Sequence, residues 1–188
     1  MLTWWDKPLL FDLFITDKIE SLRHPVLDSI FLAITYLGSP MAFIILGLGA
    51  LIFLVYNRQV LEGVYLNLCL LVSWEAMHLL KNFFARPRPE GEHLTIATGM
   101  SFPSGHAMLS LVFYGFIGYL VLKNLSSASA QILTGLLFAL LILMIGISRV
   151  YLNVHFPTDI VAGYLIGGLF LGAFIKLYEW HHKKIINR

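Results

Sequence analysis

Three short segments of this sequence carry the side chains that can bind an anion or move a proton, and apolar sequence separates them. The segments are residues 81–89, 101–106 and 148–159. They include three cations that stand beside apolar sequence: Lys81, Arg88 and Arg149. Arginine holds phosphate oxygens with two parallel hydrogen bonds, and lysine adds a compact charge. The cluster predicts a phosphate site, whereas each cation alone fits lipid-headgroup anchoring equally well.

The run Pro103-Ser104-Gly105-His106 is typical of a helix start. We expect Pro103 at the first helical position, because its missing N–H costs nothing there. The free N–H groups of a first helical turn, together with the helix dipole, bind anions. Gly105 leaves the backbone open to a phosphate, the Ser104 hydroxyl can donate a hydrogen bond, and His106 can protonate a leaving oxygen. The alternative is a capped helix with an incidental histidine.

His155 and Asp159 are four residues apart, so they share a face where that segment is helical. A carboxylate bonded to one ring nitrogen fixes the histidine tautomer and leaves the other nitrogen with a free lone pair. The spacing therefore predicts His155 as a nucleophile that Asp159 orients. A structural His–Asp pair at a helix start is the alternative. A neutral His155 acting with a protonated His106 predicts a bell-shaped dependence of rate on pH.

The composition indicates a membrane protein. Of the 188 residues, 58% are hydrophobic and 13% are charged, against about 25% charged residues in an average soluble domain. A soluble fold of this length would leave much apolar surface in water. The net charge of +2 gives no support for a nucleic-acid partner, and the single cysteine, Cys69, excludes an intramolecular disulfide. The first residues lack the pattern of a cleavable signal peptide.

Long uncharged runs predict an all-α protein, with six transmembrane helices in one bundle and a single domain over residues 1–188. The first helix starts near Leu22 and ends at the turn 38–40. The other five are predicted at about 41–56, 61–84, 104–122, 131–151 and 157–178. The runs lack period-two alternation, and an open sheet edge cannot face lipid. Residues 11–22 form either an amphipathic helix on the membrane or an irregular lead-in.

An even number of spans puts both chain ends on one side of the membrane. That side then holds nine of the 13 Lys and Arg residues, and the positive-inside rule places it in the cytoplasm. The opposite side holds the other four: Lys81, Arg86, Arg88 and Arg149. The same map brings the three polar segments to this outer face, at one membrane depth. We therefore expect a single site that faces outward from the cytoplasmic membrane.

The polar segments together resemble a known family. The patterns Lys81-x6-Arg88-Pro89, Pro103-Ser104-Gly105-His106 and Ser148-Arg149-x5-His155-x3-Asp159 are similar to the three signature motifs of the type 2 phosphatidic acid phosphatase (PAP2) superfamily. The resemblance implies a membrane phosphatase that acts on a lipid phosphate or diphosphate and needs neither a metal nor another cofactor. Arg86 lies inside the first motif but is not one of its signature positions.

The resemblance also implies a role for each motif residue. His155 attacks phosphorus and becomes a phosphohistidine, while Asp159 orients it. His106 protonates the leaving group and then activates water. The remaining signature residues bind the phosphoryl oxygens: Lys81, Arg88, Ser104, Gly105 and Arg149.

Several alternatives stay open at this stage. Undecaprenyl diphosphate and phosphatidylglycerol phosphate are the expected substrates, and phosphatidate and lipid A phosphate are the alternatives. A small anion channel or transporter is the rival of another class, but it would place its site near the bilayer midplane. Glu75 and His78, three residues apart, either line the substrate cavity or form a buried, mutually satisfied pair.

Overall fold

A computed structural model describes residues 7–186 of the protein, and this range is helical with connecting turns and loops. The helices are α1 (Leu10–Glu20), α2 (Pro25–Tyr36), α3 (Pro40–Tyr56), α4 (Val60–Phe84), α5 (Gly105–Lys123), α6 (Ala128–Tyr151) and α7 (Pro157–Ile186). The all-α prediction is confirmed. The last five predicted spans correspond to α3–α7, and their starts agree within three residues. The last helix continues past the predicted end at residue 178.

The number of spans differs from the prediction. Among the described residues, α4–α7 are each long and apolar enough to cross a membrane, and α2 and α3 pass the same test only together, as a pair bent by 46° that brings the number to five when it is counted as one span. The 12 residues of α2 extend only about 18 Å, whereas the hydrocarbon core is about 30 Å thick. The six-span count is therefore not confirmed, because α2 runs only from Pro25 to Tyr36 instead of from about Leu22 to the turn at 38–40.

The two ends of the described chain lie at opposite ends of the bundle. The Lys7 carbonyl accepts a hydrogen bond from Nη2 of Arg86 (3.4 Å), at the end where the polar segments meet. Near the other chain end, the His181 ring bonds to the Tyr65 hydroxyl (3.1 Å), close to the start of α4. The prediction that both chain ends share one side is therefore wrong for residues 7–186. The reason is that the bent pair α2 and α3 replaces two predicted spans by one.

The N-terminal lead-in is helical from Leu10 to Glu20, and α1 contacts α6 and α7. Its inward side carries Asp12, which is fully buried. Its outward side is apolar and exposed: Leu10, Phe11, Leu13 and Phe14. The helical alternative for the lead-in is thus confirmed, while its position on the membrane stays a prediction. Residues 1–6, on which the expectation about a signal peptide bears, lie outside the described range.

Two glycines let α7 lie directly on the start of α5. A Cβ atom at Gly163 would stand 2.8 Å from the Ser104 carbonyl oxygen, and one at Gly167 would stand 2.7 Å from the Met108 carbonyl oxygen. Only a residue without a side chain permits this backbone approach. The contact fixes the beginning of α5 against the beginning of α7, where two of the three polar segments lie.

A methyl group at Gly167 should separate α5 from α7. We expect Gly167→Ala to lower the stability of the folded protein by about 1–3 kcal/mol, the usual cost of overpacking, and to lower the thermal midpoint in detergent. Gly172→Ala on the same helix is the matched control, because its added Cβ meets no atom within 4 Å. Equal midpoints for the two variants would contradict the close α5–α7 contact.

Candidate functional site

The three polar segments meet at one end of the bundle, around a cavity of about 230 Å³ that we call the site cavity. Six of the motif residues predicted from the sequence line it: Lys81, Arg88, Gly105, His106, Arg149 and His155. They come from the end of α4, the loop after it, the start of α5, the end of α6 and the turn before α7. Convergence of the segments is confirmed. The cavity lies at helix ends, unlike the midplane site of a transporter.

His155 lies in the turn between α6 and α7 and is buried, with 3% of its surface exposed. Its Nδ1 stands 3.4 Å from Oδ2 of Asp159, and its Nε2 stands 3.4 Å from Nη1 of Arg88. The same Asp159 oxygen accepts the backbone N–H of Phe156 (2.9 Å). One ring nitrogen thus faces a carboxylate and the other faces the cavity. The pairing predicted from the four-residue spacing is present, at a distance that an occupied site would shorten.

Backbone carbonyls of the loop between α4 and α5 hold two of the cations. Nζ of Lys81 donates to the carbonyl of Met100 (2.6 Å). The Arg88 guanidinium donates from Nε to Gly99 (3.0 Å) and from Nη2 to Thr98 (2.8 Å). Carbonyl dipoles therefore fix both head groups without neutralising them, which keeps their positive charge available to an anion.

A residue of α2 holds the third cation. Nη1 of Arg149 donates to the Thr35 hydroxyl (2.7 Å), and both residues are buried. The turn that follows α2 also packs on His106, since a Cβ atom at Gly38 would stand 2.9 Å from Cδ2 of that ring. No sequence pattern indicates either contact, because Thr35 and Arg149 are 114 residues apart.

The start of α5 differs in detail from the prediction. The helix begins at Gly105, and Ser104 is its N-cap, so Pro103 precedes the helix instead of occupying its first position. The Ser104 hydroxyl accepts the N–H of Ala107 (3.4 Å). Ser104 is fully buried, and its own N–H donates to the backbone carbonyl of Asp159 (3.1 Å). Gly105 and His106 thus line the cavity, while Ser104 ties the helix start to α7.

Arg86 is the main site residue that sequence reasoning did not single out. It is 4% exposed and donates from Nη1 to Oδ1 of Asp159 (2.6 Å) and from Nη2 to Oδ2 of Asp12 (2.8 Å). Its guanidinium lies over the Phe156 ring, 4.5 Å from the centroid. A charged residue inside the first motif was a visible signal, but nothing in the sequence pairs it with Asp12, 74 residues earlier.

An apolar groove of about 500 Å³ adjoins the site cavity between α3 and α4, and Phe43 and Trp74 line both. His78 lines the site cavity and Glu75 lines the groove. Both side chains are exposed, so the alternative of a buried, mutually satisfied pair is wrong. The cavity-lining alternative is the one that their positions favour. A larger groove of about 850 Å³ lies elsewhere, between α5, α6 and α7.

Burial and positive charge lower the pKa of His155 well below its ordinary value. Burial acts most strongly because it disfavours the cationic ring. Repulsion from Lys81, Arg149 and Arg88 acts in the same direction. The ring is therefore neutral over the physiological pH range, which leaves a lone pair on Nε2 when Nδ1 carries the proton.

Comparison with known proteins supports the resemblance drawn from the motifs. Residues 62–183 match the family model described as PAP2 superfamily. The chain is 30% identical over 163 residues to Phosphatidylglycerophosphatase B of Bacillus subtilis (strain 168), and this alignment covers 84% of this chain and 78% of that protein. It is 29% identical over 180 residues to Lipid A 4'-phosphatase of Porphyromonas gingivalis, and this alignment covers 89% of this chain and 72% of that protein.

Two solved structures share the fold. The transmembrane PAP2 type phosphatidylglycerolphosphate phosphatase from Bacillus subtilis aligns with a TM-score of 0.83 and 28% identity, over 89% of this chain and 84% of that chain. Aquifex aeolicus LpxE aligns with a TM-score of 0.73 and 28% identity, over 91% of this chain and 98% of that chain.

The lowered pKa of His155 can be measured directly. We expect its ring to stay neutral to well below pH 6.5, near which an unperturbed histidine titrates. Nitrogen NMR of histidine-labelled protein in detergent would follow both ring nitrogens, and the resonances missing from His155→Ala would assign them. The same spectra report whether Nδ1 carries the proton. Half-protonation at or above pH 6.5 would refute the assigned electrostatics.

Proposed function

This chain belongs to the PAP2 superfamily and is a membrane lipid phosphatase, and from that premise we propose that it releases phosphate through a phosphohistidine on His155. The observation that carries the proposal is the orientation of this ring. Nδ1 faces Asp159, and Nε2 faces a cavity with three cations. A nucleophilic histidine needs this arrangement, since one nitrogen is held and the other is free to attack.

In the first step, the lone pair on Nε2 of His155 attacks phosphorus, and the bond from phosphorus to the lipid oxygen breaks. Nδ1 keeps its proton, and the Asp159 carboxylate offsets the positive charge that the ring acquires. The departing oxygen takes a proton from His106, which acts as the general acid. The products are the phosphohistidine and a lipid alcohol, or a lipid monophosphate when the substrate is a diphosphate.

In the second step, water gives a proton to His106 while its oxygen attacks phosphorus. The bond from phosphorus to Nε2 breaks, and its electron pair returns to the ring of His155. Inorganic phosphate leaves, and His106 is protonated again for the next cycle. One histidine therefore serves as acid and then as base, as microscopic reversibility allows.

We assign the three cations of the site cavity, together with the N–H groups at the start of α5, to the phosphoryl oxygens. The cations are Lys81, Arg88 and Arg149. Preorganised positive groups in a site sheltered from water stabilise the charge of a phosphoryl transition state. Ser104 supports this set through its cap of α5, next to Gly105. We propose that this charge makes the reaction independent of a metal ion.

The groove between α3 and α4 supports a lipid substrate rather than a soluble phosphate ester. It adjoins the site cavity, and most of its lining is apolar, as a tail requires. The similar curated protein and the similar solved structure from Bacillus subtilis are both named for phosphatidylglycerol phosphate, so we propose this lipid as the first substrate and undecaprenyl diphosphate as the second. Lipid A phosphate and phosphatidate are the alternatives.

Removing the nucleophile should abolish the reaction. We expect His155→Ala to release phosphate from phosphatidylglycerol phosphate about 10³-fold more slowly than the unmodified protein, or slower still, as for other deleted nucleophiles. The assay measures inorganic phosphate in detergent with a metal chelator present. His182→Ala is the matched control, because that histidine lies near the far end of α7 and contacts Tyr178. Full activity of His155→Ala would refute the phosphohistidine, and loss of activity with the chelator would refute metal independence.

The same assay across four lipids tests the substrate. Phosphatidylglycerol phosphate, undecaprenyl diphosphate, phosphatidate and lipid A are compared by kcat/KM, since this ratio measures discrimination between substrates. The highest value for phosphatidylglycerol phosphate would support the first assignment. The highest value for phosphatidate or lipid A would overturn both proposed substrates and leave the phosphatase mechanism intact.

We further propose that the site cavity faces outward from the cytoplasmic membrane. The far end of the bundle carries five cations in its turns and helix ends: Arg58, Lys123, Lys176, Lys183 and Lys184. The site end carries only three besides the four around the site: Lys7, Lys18 and Arg23. Once the four cations that the site uses are set aside, the remaining five against three favour a cytoplasmic far end by the positive-inside rule.

Cysteine labelling would test this orientation. Glu92 is exposed in the loop at the site end, and Ser126 is exposed in the turn at the far end. We expect Glu92→Cys to react with a membrane-impermeant maleimide in intact cells, and Ser126→Cys to react only after permeabilisation. Unmodified protein is the background control, since its Cys69 is buried. The reverse pattern would place the site in the cytoplasm.

A further inference from the structure

We propose that Asp12, on the N-terminal helix α1, is a positioning residue of the reaction, which controls the Asp159–His155 pair through Arg86. The inference rests on the proposed function. It extends the site to a helix outside the segment that matches the family, because that match begins at residue 62 and α1 ends at Glu20.

The three charged side chains form a buried row that leads away from His155. Oδ1 of Asp159 accepts from Nη1 of Arg86 at 2.6 Å, and Nη2 of Arg86 donates to Oδ2 of Asp12 at 2.8 Å. Both carboxylates are fully buried, and the arginine side chain is 5% exposed. Water screens such charges little, so a change at Asp12 is felt at Asp159.

Asp12 also holds the backbone beside Asp159. Its Oδ1 accepts the N–H of Thr158 (2.9 Å), and its Oδ2 accepts the Thr158 hydroxyl (2.8 Å). That hydroxyl in turn accepts from Nη1 of Arg86 (2.8 Å). Asp12 therefore fixes the Arg86 guanidinium, which binds Asp159, and also Thr158, the residue before Asp159 in the chain.

The charges of the row explain why the second carboxylate matters. Two carboxylates and one guanidinium carry one net negative charge, and that charge can offset the positive ring that His155 becomes during attack. Without the charge of Asp12 the row is neutral. The positive charge of Arg86 is then shared with no second carboxylate, so Arg86 binds Asp159 more strongly and competes with the His155 ring for it. The nucleophile is then both less well oriented and less well stabilised.

Asp12→Asn tests this role, since the amide has nearly the same shape, keeps one of the two oxygen acceptors and removes the charge. We expect kcat to fall about 10- to 100-fold, the usual effect of removing a group that orients a functional histidine. KM should change little, because Asp12 is fully buried behind the catalytic pair. Asp17→Asn is the matched control, because the same change is made at an exposed position of the same helix. It should leave both constants unchanged.

The pH profile separates positioning from simple anchoring of α1. The charged or titratable groups around His155 are Asp159, Lys81, Arg88, Arg149 and His106. Asp12→Asn leaves all of them in place and removes one negative charge behind Asp159. A positive ring becomes harder to form, so the acid limb of kcat/KM should move to lower pH. An anchoring role would lower the activity without moving that limb.

A double variant gives the second readout. Arg86→Met removes the guanidinium that joins Asp12 to Asp159. If Asp12 acts through Arg86, adding Asp12→Asn to Arg86→Met should lower kcat much less than Asp12→Asn lowers it in the unmodified protein, a coupling that a double-mutant cycle measures. If α1 only anchors the fold, the losses of the two single variants add.

The inference is overturned if Asp12→Asn has the kcat and pH profile of the unmodified protein. It is also overturned if kcat falls with an unmoved acid limb and the losses of the two single variants add in the double variant. Thermal midpoints in detergent identify variants that do not fold. His155→Ala run in the same assay keeps the two hypotheses apart. Full activity of His155→Ala refutes the proposed function. If His155→Ala is inactive and Asp12→Asn is fully active, only the inference about Asp12 is refuted.

Discussion

The site depends on keeping the carboxylate of Asp159 buried and fully paired. A buried ion that loses its partner is strongly destabilising, and this side chain has no exposed surface. Its two oxygens are shared between Arg86, the backbone N–H of Phe156 and the ring of His155. These donors come from the loop after α4 and from the turn before α7. The pairing of one carboxylate therefore requires that segments far apart in the sequence be held together.

Like charges around the cavity impose the opposite constraint. Three cations converge on one small space, and their repulsion has to be offset while no anion is bound. The chain offsets it with carbonyl dipoles of the loop between α4 and α5 and with the Thr35 hydroxyl. Neutral acceptors hold the cations in position and leave their charge uncancelled. The same positive surroundings favour a neutral His155, so the nucleophile and the phosphate-binding groups depend on a common electrostatic arrangement.

The sequence predicted the site better than it predicted the span count, and there is a physical reason. Long apolar runs delimit α4–α7, and the relative positions of their ends do not depend on how many spans come earlier. The polar segments therefore fall at one end of the bundle even though the predicted first span proved to be part of a bent helix pair. The errors in the span count and in the placement of the chain ends both follow from α2, whose length is set by Pro25 and the break before Pro40.

Contacts between distant residues were beyond prediction because no periodic pattern encodes them. Asp12 is an isolated acid in an apolar stretch, and its partner Arg86 lies 74 residues later. An amphipathic pattern would have suggested an exposed or interfacial acid, yet the helix turns that side chain inward. The cost of burying two carboxylates and a guanidinium is offset by their mutual pairing and by hydrogen bonds from Thr158 and Phe156, and these contacts exist only once α1, the loop after α4 and the start of α7 are assembled.

Phosphate recognition and tail recognition draw on different parts of the chain. The three cations of the site cavity lie on α4, on the loop after it and on α6, within the range that matches the family, although Gly38, Pro40 and Phe43 before that range also line the cavity. The adjoining groove takes one wall from α3, including Ile44 and Leu48, which precede that range. A substitution on this wall alters apolar contacts without touching a charge of the site. We infer that one catalytic end can therefore serve lipids with different tails, which agrees with the different substrates for which the similar proteins are named.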